Sequence, residues 1–168
     1  MLDVPEPVSS ARWLRSIEEP LGKSSLTQEQ QALTMKANAV TSNTFEILAE
    51  CSKCNIPWTV ENPNGSIMWH TPAWEDMVGQ FKPNKNVFDY CQFGMKYKKR
   101  TQIWSWSSDG TNMLKKYAKE CRGGHEHLGL SGWQKAKEIR LPTNRTAGYP
   151  PKLCKVWAKA IAEHVMKQ

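Results

Sequence analysis

The sequence contains no long hydrophobic run. Hydrophobic residues occupy 39% of its 168 positions, but no uninterrupted stretch approaches the roughly 20 residues that a membrane-spanning helix requires. The first residues are acidic and proline-rich, without the apolar core of a secretory signal. We therefore expect an intracellular protein with no membrane partner.

Glycine-rich nucleotide loops are also missing. The sequence has no Gly-x-Gly-x-x-Gly motif and no Walker loop, and no serine lies in a nucleophile elbow. These absences exclude the common dinucleotide-binding, P-loop and serine-hydrolase sites. Internal repeats and low-complexity tracts are absent as well, so the length predicts one domain around one core.

Cysteine occurs five times at irregular spacing, and an odd number is typical of reduced thiols inside a cell. Cys51 and Cys54 have the spacing of zinc ligands, and Cys121, His125 and His127 could complete such a site. Alternatively, Cys51 is a small hydrophobic residue on a helix, and the two histidines lie in an exposed glycine turn. The spacing does not separate these interpretations, so no metal ligand is predicted.

Charge is distributed unevenly along the chain. Residues 1–80 hold 5 Lys+Arg and 10 Asp+Glu, whereas residues 81–168 hold 18 Lys+Arg and 6 Asp+Glu. The basic half contains a cluster of cations beside aromatic rings: Lys96, Lys98, Lys99 and Arg100 with Tyr97, Trp104 and Trp106. Cations bind phosphates and aromatic faces stack on bases, so this mixture indicates a nucleic-acid surface. The alternative is a solvated lysine face over tryptophans that belong to the core.

Hydrophobic periodicity predicts a long helix followed by a strand. Thr27 and Gln30 fit a capping box at the start of this helix, which we expect to end near Cys54. Its predicted buried face consists of residues three and four positions apart: Leu33, Ala37, Val40, Thr44, Ile47 and Cys51. Residues 58–63 then form a buried strand, and the two elements together predict half of a βαβ unit.

Five further elements are expected after this strand. Residues 72–78 are a short helix or loop, and residues 87–93 and 101–106 are the strands of a hairpin. Thr111 can cap a short helix. The apolar face of that helix would be Leu114, Tyr117, Ala118 and Cys121. A last helix begins at Pro151, and its predicted buried face is Leu153, Val156, Trp157, Ala160, Ile161 and His164.

Glu61 is the strongest single candidate for a functional residue. It comes near the end of the first strand, which Asn62 and Pro63 terminate. In an open α/β sheet, ligands bind at the carboxyl ends of the strands, so a carboxylate at this point is well placed for function. The alternative is an incidental acid in a strand-terminating turn.

Two segments carry a recognisable pattern. Residues 58–69 contain Trp-Thr-Val-Glu-Asn-Pro-x-x-Ser-x-x-Trp, and residues 90–104 contain Tyr-Cys-Gln-Phe-Gly-x-x-Tyr-Lys-Lys-x-Thr-x-Ile-Trp. Together they resemble the phage-like and protist relatives of the DNA cytosine-5 methyltransferases. The resemblance implies an α/β fold, namely a partial Rossmann-like S-adenosylmethionine-dependent methyltransferase fold with an added β-hairpin. It implies a single partial domain over residues 1–168, with an irregular segment over 1–24 and the C-terminal half of the catalytic domain over 25–165.

The resemblance also implies roles for individual residues. Glu61 would hold a cytosine at N3 and at its exocyclic amine, and Asn62 would shape the turn after the strand. DNA contacts would come from Gln92, Lys98, Lys99, Arg100 and Thr101. In such enzymes the target base is flipped out of the duplex, and a thiolate attacks its C6 so that C5 can take a methyl group from S-adenosylmethionine.

Two parts of that family's site have no counterpart here. The glycine-rich S-adenosylmethionine loop is absent, and residues 4–8 stand where the Pro-Cys nucleophile would precede Ser9. We therefore expect a fragment or decayed copy that is inactive alone, binds DNA in a nucleus or nucleoid, and needs a complementing methyltransferase half. The alternative function is that of a small basic nucleic-acid-binding module stabilised by zinc.

Overall fold

The chain contains both helices and strands. The computed structural model describes residues 14–130, 140–141 and 148–167. The main elements are α1 (Gln28–Lys53), β1 (Trp58–Pro63), α2 (Pro72–Phe81), β2 (Asn84–Asp89) and β3 (Arg100–Trp106), followed by the two-residue strands β4 (Gly129–Leu130) and β5 (Arg140–Leu141) and by α3 (Pro151–Val165). Single 3-10 turns, Ile67–His70 and Tyr90–Phe93, follow β1 and β2.

The three longer strands form one antiparallel sheet in the order β1-β3-β2. The register places Pro63 opposite Thr101 and Asp89 opposite Arg100. Because β1 and β2 both run antiparallel to the central strand β3, their carboxyl ends and the beginning of β3 lie at the same end of the sheet. We call this the carboxyl end of the sheet, and it brings the polar residues of three strand termini together.

Side chains alternate between the two faces of the sheet along each strand. Helices cover both faces, so each face has its own core. The core under α1 and α2 is rich in tryptophan: Phe45, Leu48, Trp58, Trp69, Trp74 and Met77, with Trp104 and Trp106 packed against it. The core on the face that α3 covers is formed by Phe88, Tyr90, Phe93, Tyr97, Ile103, Met113, Leu114, Leu153 and Ala160. Adjacent residues of β3 therefore belong to different cores. Ile103 lies in the core that α3 covers, and Trp104 packs against the tryptophan-rich core.

The mixed helix-and-sheet class that the sequence predicts is confirmed. The α1–β1 pattern also predicts a parallel βαβ arrangement, but the strand that pairs with β1 is antiparallel β3. β1 and β2 do run in the same direction, with α2 between them in the chain, yet β3 separates them. The described parallel strand pair is β4–β5, of two residues each. No helix among the described residues is both long and apolar enough to span a membrane.

Arg15 connects the N-terminal segment to α1. Residues 1–13 of the segment 1–24, which the sequence predicts to be irregular, lie outside the described residues, and residues 15–24 form bends and turns. Arg15 fastens this segment to α1, because its guanidinium donates to the backbone carbonyl of Thr34 at 3.1 Å and to Asn38 Oδ1 at 2.7 Å.

α1 has the predicted cap but buries a different face. Thr27 and Gln30 form the capping box, in which each side chain accepts a hydrogen bond from the backbone N–H of the other residue. The buried residues are Thr34, Phe45, Leu48 and Ser52. By contrast, Leu33, Val40 and Ile47 of the predicted face are 59%, 68% and 63% exposed. The predicted face is wrong because α1 carries two stripes at helical spacing, and the aromatic core contacts the stripe with Phe45.

The hairpin is confirmed, since β2 and β3 pair along their lengths. β2 begins at Asn84 and ends at Asp89, so the last predicted strand residues form a 3-10 turn instead. The last helix is also confirmed: α3 begins at Pro151 and buries the predicted residues Leu153 and Ala160. Residues 72–78, predicted as helix or loop, belong to helix α2.

The helix predicted after Thr111 is wrong, because residues 113–117 form turns. The side chain of Asp109 accepts a hydrogen bond from the Thr111 N–H, and the side chain of Asn112 accepts one from the Leu114 N–H. Such local bonds from side chains to the backbone compete with the helical pattern. Leu114 is nevertheless fully buried, so its apolar contacts form without a helix.

Candidate functional site

Glu61 lies two residues before the end of β1, opposite Ile103 and hence on the face of the sheet that α3 covers. Two hydroxyl groups donate hydrogen bonds to its carboxylate. Thr101, at the start of β3, donates to Oε1, and Tyr149, just before α3, donates to Oε2 at 2.6 Å. The carboxylate is therefore held in one orientation at the carboxyl end of the sheet, while the residue stays partly exposed.

Two tyrosines beside Glu61 keep their hydroxyl protons at neutral pH. Burial, together with the hydrogen bond and charge of Glu61, raises the pKa of Tyr149 to about 12. Burial and the Glu61 charge also raise the pKa of Tyr90, whose side chain is fully buried. The Tyr90 hydroxyl has no hydrogen-bond partner within the described part of the chain, which is uncommon for a buried polar group. The surroundings of the carboxylate thus include a hydroxyl with unused hydrogen-bonding capacity.

Asn62, the second residue with a predicted catalytic role, contacts the turn that follows β1. Its side-chain amide lies 3.1 Å from Met68 Sδ, and its backbone carbonyl lies 2.9 Å from the Thr101 hydroxyl. Trp69 Nε1 closes the same turn by donating to the Pro63 carbonyl at 2.9 Å. This geometry is compatible with the predicted role of Asn62 in shaping the turn, and a contact with substrate stays a prediction.

Arg100 is bound to the fully buried carboxylate of Asp89. Its Nε and Nη2 lie 3.0 and 2.8 Å from the two oxygens of Asp89, and Nη2 lies 3.2 Å from a Glu120 oxygen. Burial alone would raise the pKa of Asp89, but hydrogen bonds from Arg100 and from the Cys121 N–H outweigh it and lower that pKa. The phosphate contact predicted for Arg100 therefore competes with an ion pair that fixes the carboxyl end of the sheet.

The other predicted DNA-binding residues differ in exposure. Lys96 and Lys98 are exposed, and the Lys99 ammonium lies 5.1 Å from the centre of the Tyr90 ring. Thr101 has no exposed surface, so in this conformation its hydroxyl reaches Glu61 and not solvent. The exposed lysines of the connection between β2 and β3 are the ones best placed for a phosphate backbone.

The side chains of Gln92, Trp104 and Trp106 contact other side chains of the protein. The Gln92 amide is 3.9 Å from Cys91 Sγ. Trp104 packs edge-on against Trp74, with ring centres 5.1 Å apart, and Trp106 stacks over Trp58. Of the two interpretations of these tryptophans, the structure favours the one that places them in the core.

Cys91, Cys121, His125 and His127 bring their ligand atoms within 4.8 Å of one another. Cys121 Sγ lies 3.8 Å from His125 Nε2 and 3.5 Å from His127 Nε2. Three of these residues are the zinc candidates of the sequence, but the fourth is Cys91 and neither Cys51 nor Cys54. The position of Cys91 was a usable signal, because Cys91 comes two residues after the end of β2.

The cysteine–histidine loop, residues 121–128, is held at one end by β2 and at the other by the connection between β2 and β3. The Cys121 N–H donates to Asp89 Oδ2 at 2.7 Å, and the Leu128 N–H donates to the Lys96 carbonyl at 2.8 Å. Between these anchors, Gly123 and Gly124 adopt φ angles of 90° and 82°, which residues with a side chain rarely adopt. The two glycines therefore allow the chain to turn back sharply enough for the histidines to face Cys121.

Comparison of the chain with protein-family models, with curated proteins and with solved structures gives no match. A function for the chain therefore has to be inferred from its own residues.

Proposed function

We propose that this chain carries the base-binding half of a DNA (cytosine-5) methyltransferase site. Glu61 would bind a cytosine that has been flipped out of the duplex. The observation that supports the proposal is the oriented, partly exposed carboxylate at the carboxyl end of the sheet, held by Thr101 and Tyr149. The resemblance of residues 58–69 and 90–104 to these methyltransferases points to the same carboxylate.

The carboxylate retains the hydrogen-bonding capacity that cytosine requires. Its two oxygens offer about four acceptor positions, and the hydroxyls of Thr101 and Tyr149 occupy two. The remaining positions can accept the exocyclic amine of cytosine, and a protonated carboxyl can donate to N3. Charge develops on the ring when a thiolate adds to C6, and a positioned acid at N3 stabilises it.

The connection between β2 and β3 places positive charge near this base site. It leads from the carboxyl end of β2 to the beginning of β3, so it lies at the same end of the sheet as Glu61. Lys96 and Lys98 are exposed there. Contacts with phosphates position a protein on DNA without reading its sequence, which is the role we assign to these two lysines.

The methyl donor and the nucleophile would come from another segment of polypeptide. β1 and β2 are followed by 3-10 turns with bulky residues, Ile67–His70 and Tyr90–Phe93, and not by a glycine-rich loop, so these strand ends do not fit S-adenosylmethionine. β1 is an edge strand of the described sheet, and edge strands can pair with a further strand. We propose that a complementing half extends the sheet at β1 into a Rossmann-like methyltransferase fold.

A second candidate function is a basic nucleic-acid-binding module without base chemistry, stabilised by zinc. The cysteine–histidine cluster beside the basic connection favours it. Binding to DNA would then be equally strong with or without Glu61, whereas the first proposal requires Glu61 to distinguish cytosine from other unpaired bases.

Lys98→Ala is expected to weaken DNA binding uniformly across sequences. Loss of one phosphate contact should also make the slope of log affinity against log salt concentration shallower by about one. The measurement is a filter-binding titration with short duplexes at several salt concentrations. Lys53→Ala is the matched control, because Lys53 pairs with Glu50 on α1 at 2.6 Å. A wild-type chain with no affinity at low salt would remove the DNA part of the proposal.

A further inference from the structure

We infer that Cys91, Cys121, His125 and His127 form a structural zinc site. Zinc binds thiolate sulfur at about 2.3 Å and imidazole nitrogen at about 2.0–2.1 Å, so in a tetrahedral site sulfur and nitrogen ligands lie about 3.6 Å apart. The two sulfur–nitrogen distances at Cys121 are 3.8 and 3.5 Å. All four ligand atoms lie within 4.8 Å of one another, so a single ion can reach them all.

The composition of the cluster selects zinc over other common ions. Thiolates and imidazoles are poor ligands for Mg²⁺ and Ca²⁺, which prefer oxygen, and two of each are a standard donor set for tetrahedral zinc. A thiol–imidazole hydrogen bond would explain one pair of these side chains but not the convergence of four. Because all four positions are protein ligands, the site is closed, and a closed site is structural and not catalytic.

Both sides of the site are positioned by the surrounding structure. Cys91 lies in the 3-10 turn after β2, and the Cys121 backbone is held by the buried carboxylate of Asp89. The Gly123 N–H lies 3.4 Å from Cys121 Sγ, a contact that stabilises a thiolate. Hydrogen bonds of this kind from outside the ligand set are typical of metal sites.

A metal would provide the cross-link that the loop otherwise lacks. Residues 122–126 are exposed, so apolar burial contributes little to holding them. An ion shared by Cys91 and the loop would fix that loop against the end of β2. Binding would release the protons of the two thiols, and the histidines would bind in their neutral form.

The test is the zinc content of the chain purified under reducing conditions and desalted, measured by mass spectrometry of the elements. We expect about one zinc ion per chain, and cobalt exchanged into the site should show the visible bands of tetrahedral thiolate coordination. His125→Ala should weaken zinc binding more than about tenfold. His125 is exposed, so its replacement does not depend on repacking a core. His70→Ala is the matched control, since His70 is an exposed histidine outside the cluster.

Cysteine variants provide a second comparison. Cys91→Ser should lose the zinc, and Cys54→Ser should keep it, because Cys54 is outside the cluster. The inference is overturned if the reduced wild-type chain holds neither zinc nor cobalt, or if zinc survives in both His125→Ala and Cys91→Ser. A Cys91–Cys121 disulfide found in the reduced preparation would overturn it as well.

Discussion

Glu61→Gln should reduce methyl transfer by at least about 100-fold in an enzyme reconstituted from this chain and a polypeptide that supplies the nucleophile and the methyl-donor site. Glutamine has the shape of glutamate, and its amide can still bond to the hydroxyls of Thr101 and Tyr149. It cannot carry the proton that a carboxyl would share with cytosine N3. The loss should therefore appear in the rate of transfer of labelled methyl groups to duplex DNA and not in the stability of the chain.

The matched control for this variant is Glu75→Gln. Glu75 is an exposed residue of α2, so its neutralisation changes net charge by the same amount without touching the proposed base site. Glu75→Gln should keep wild-type activity. If Glu61→Gln is as active as the wild type in an active mixture, Glu61 has no role at the base. If no complementing polypeptide ever yields activity, the idea of a half-enzyme fails.

Leu48→Ala should destabilise the protein by about 3 kcal/mol, the usual cost of removing a buried leucine side chain. Leu48 is 7% exposed and belongs to the aromatic core under α1 and α2. For a chain of this size, such a loss lowers the melting temperature by roughly 6–12 °C. Thermal unfolding followed by circular dichroism measures the shift.

The neighbouring substitution Ile47→Ala distinguishes the two faces of α1. Ile47 is 63% exposed, so its replacement should change stability by less than about 0.5 kcal/mol. The hydrophobic periodicity of the sequence predicts the opposite order, with Ile47 buried. A larger loss for Ile47→Ala than for Leu48→Ala would show that α1 packs through the face with Leu33, Val40 and Ile47.

These two residues show what kind of information the sequence holds about the fold. Helix boundaries depend on local chemistry, such as the capping box of Thr27 and Gln30 and the proline at the start of α3, and both are confirmed. The buried face of α1 depends on which stripe meets Trp58 and Trp74, and those contacts form only when distant segments pack. The same holds for strand direction, because the pairing of β1 with β3 joins residues about 40 positions apart.

In the candidate sites too, local sequence indicates some residues, whereas only tertiary packing reveals their partners. A strand that ends in Asn62-Pro63 places Glu61 near a strand end without any tertiary information. Its partner Tyr149 lies 88 positions away in the chain, and no local spacing connects the two. Cys121, His125 and His127 share one loop, so their spacing marks them as candidates without predicting a metal site. Their fourth partner, Cys91, comes from another segment.

The most direct test of the proposed function is whether Glu61 recognises an unpaired cytosine. Binding should be compared between two short duplexes that carry cytosine or thymine opposite an abasic position, where flipping costs little. We expect the wild-type chain to bind the cytosine duplex at least about tenfold more tightly, and Glu61→Ala to bind both equally. Equal binding of the two duplexes by the wild type, or a cytosine preference that persists in Glu61→Ala, would contradict the proposal.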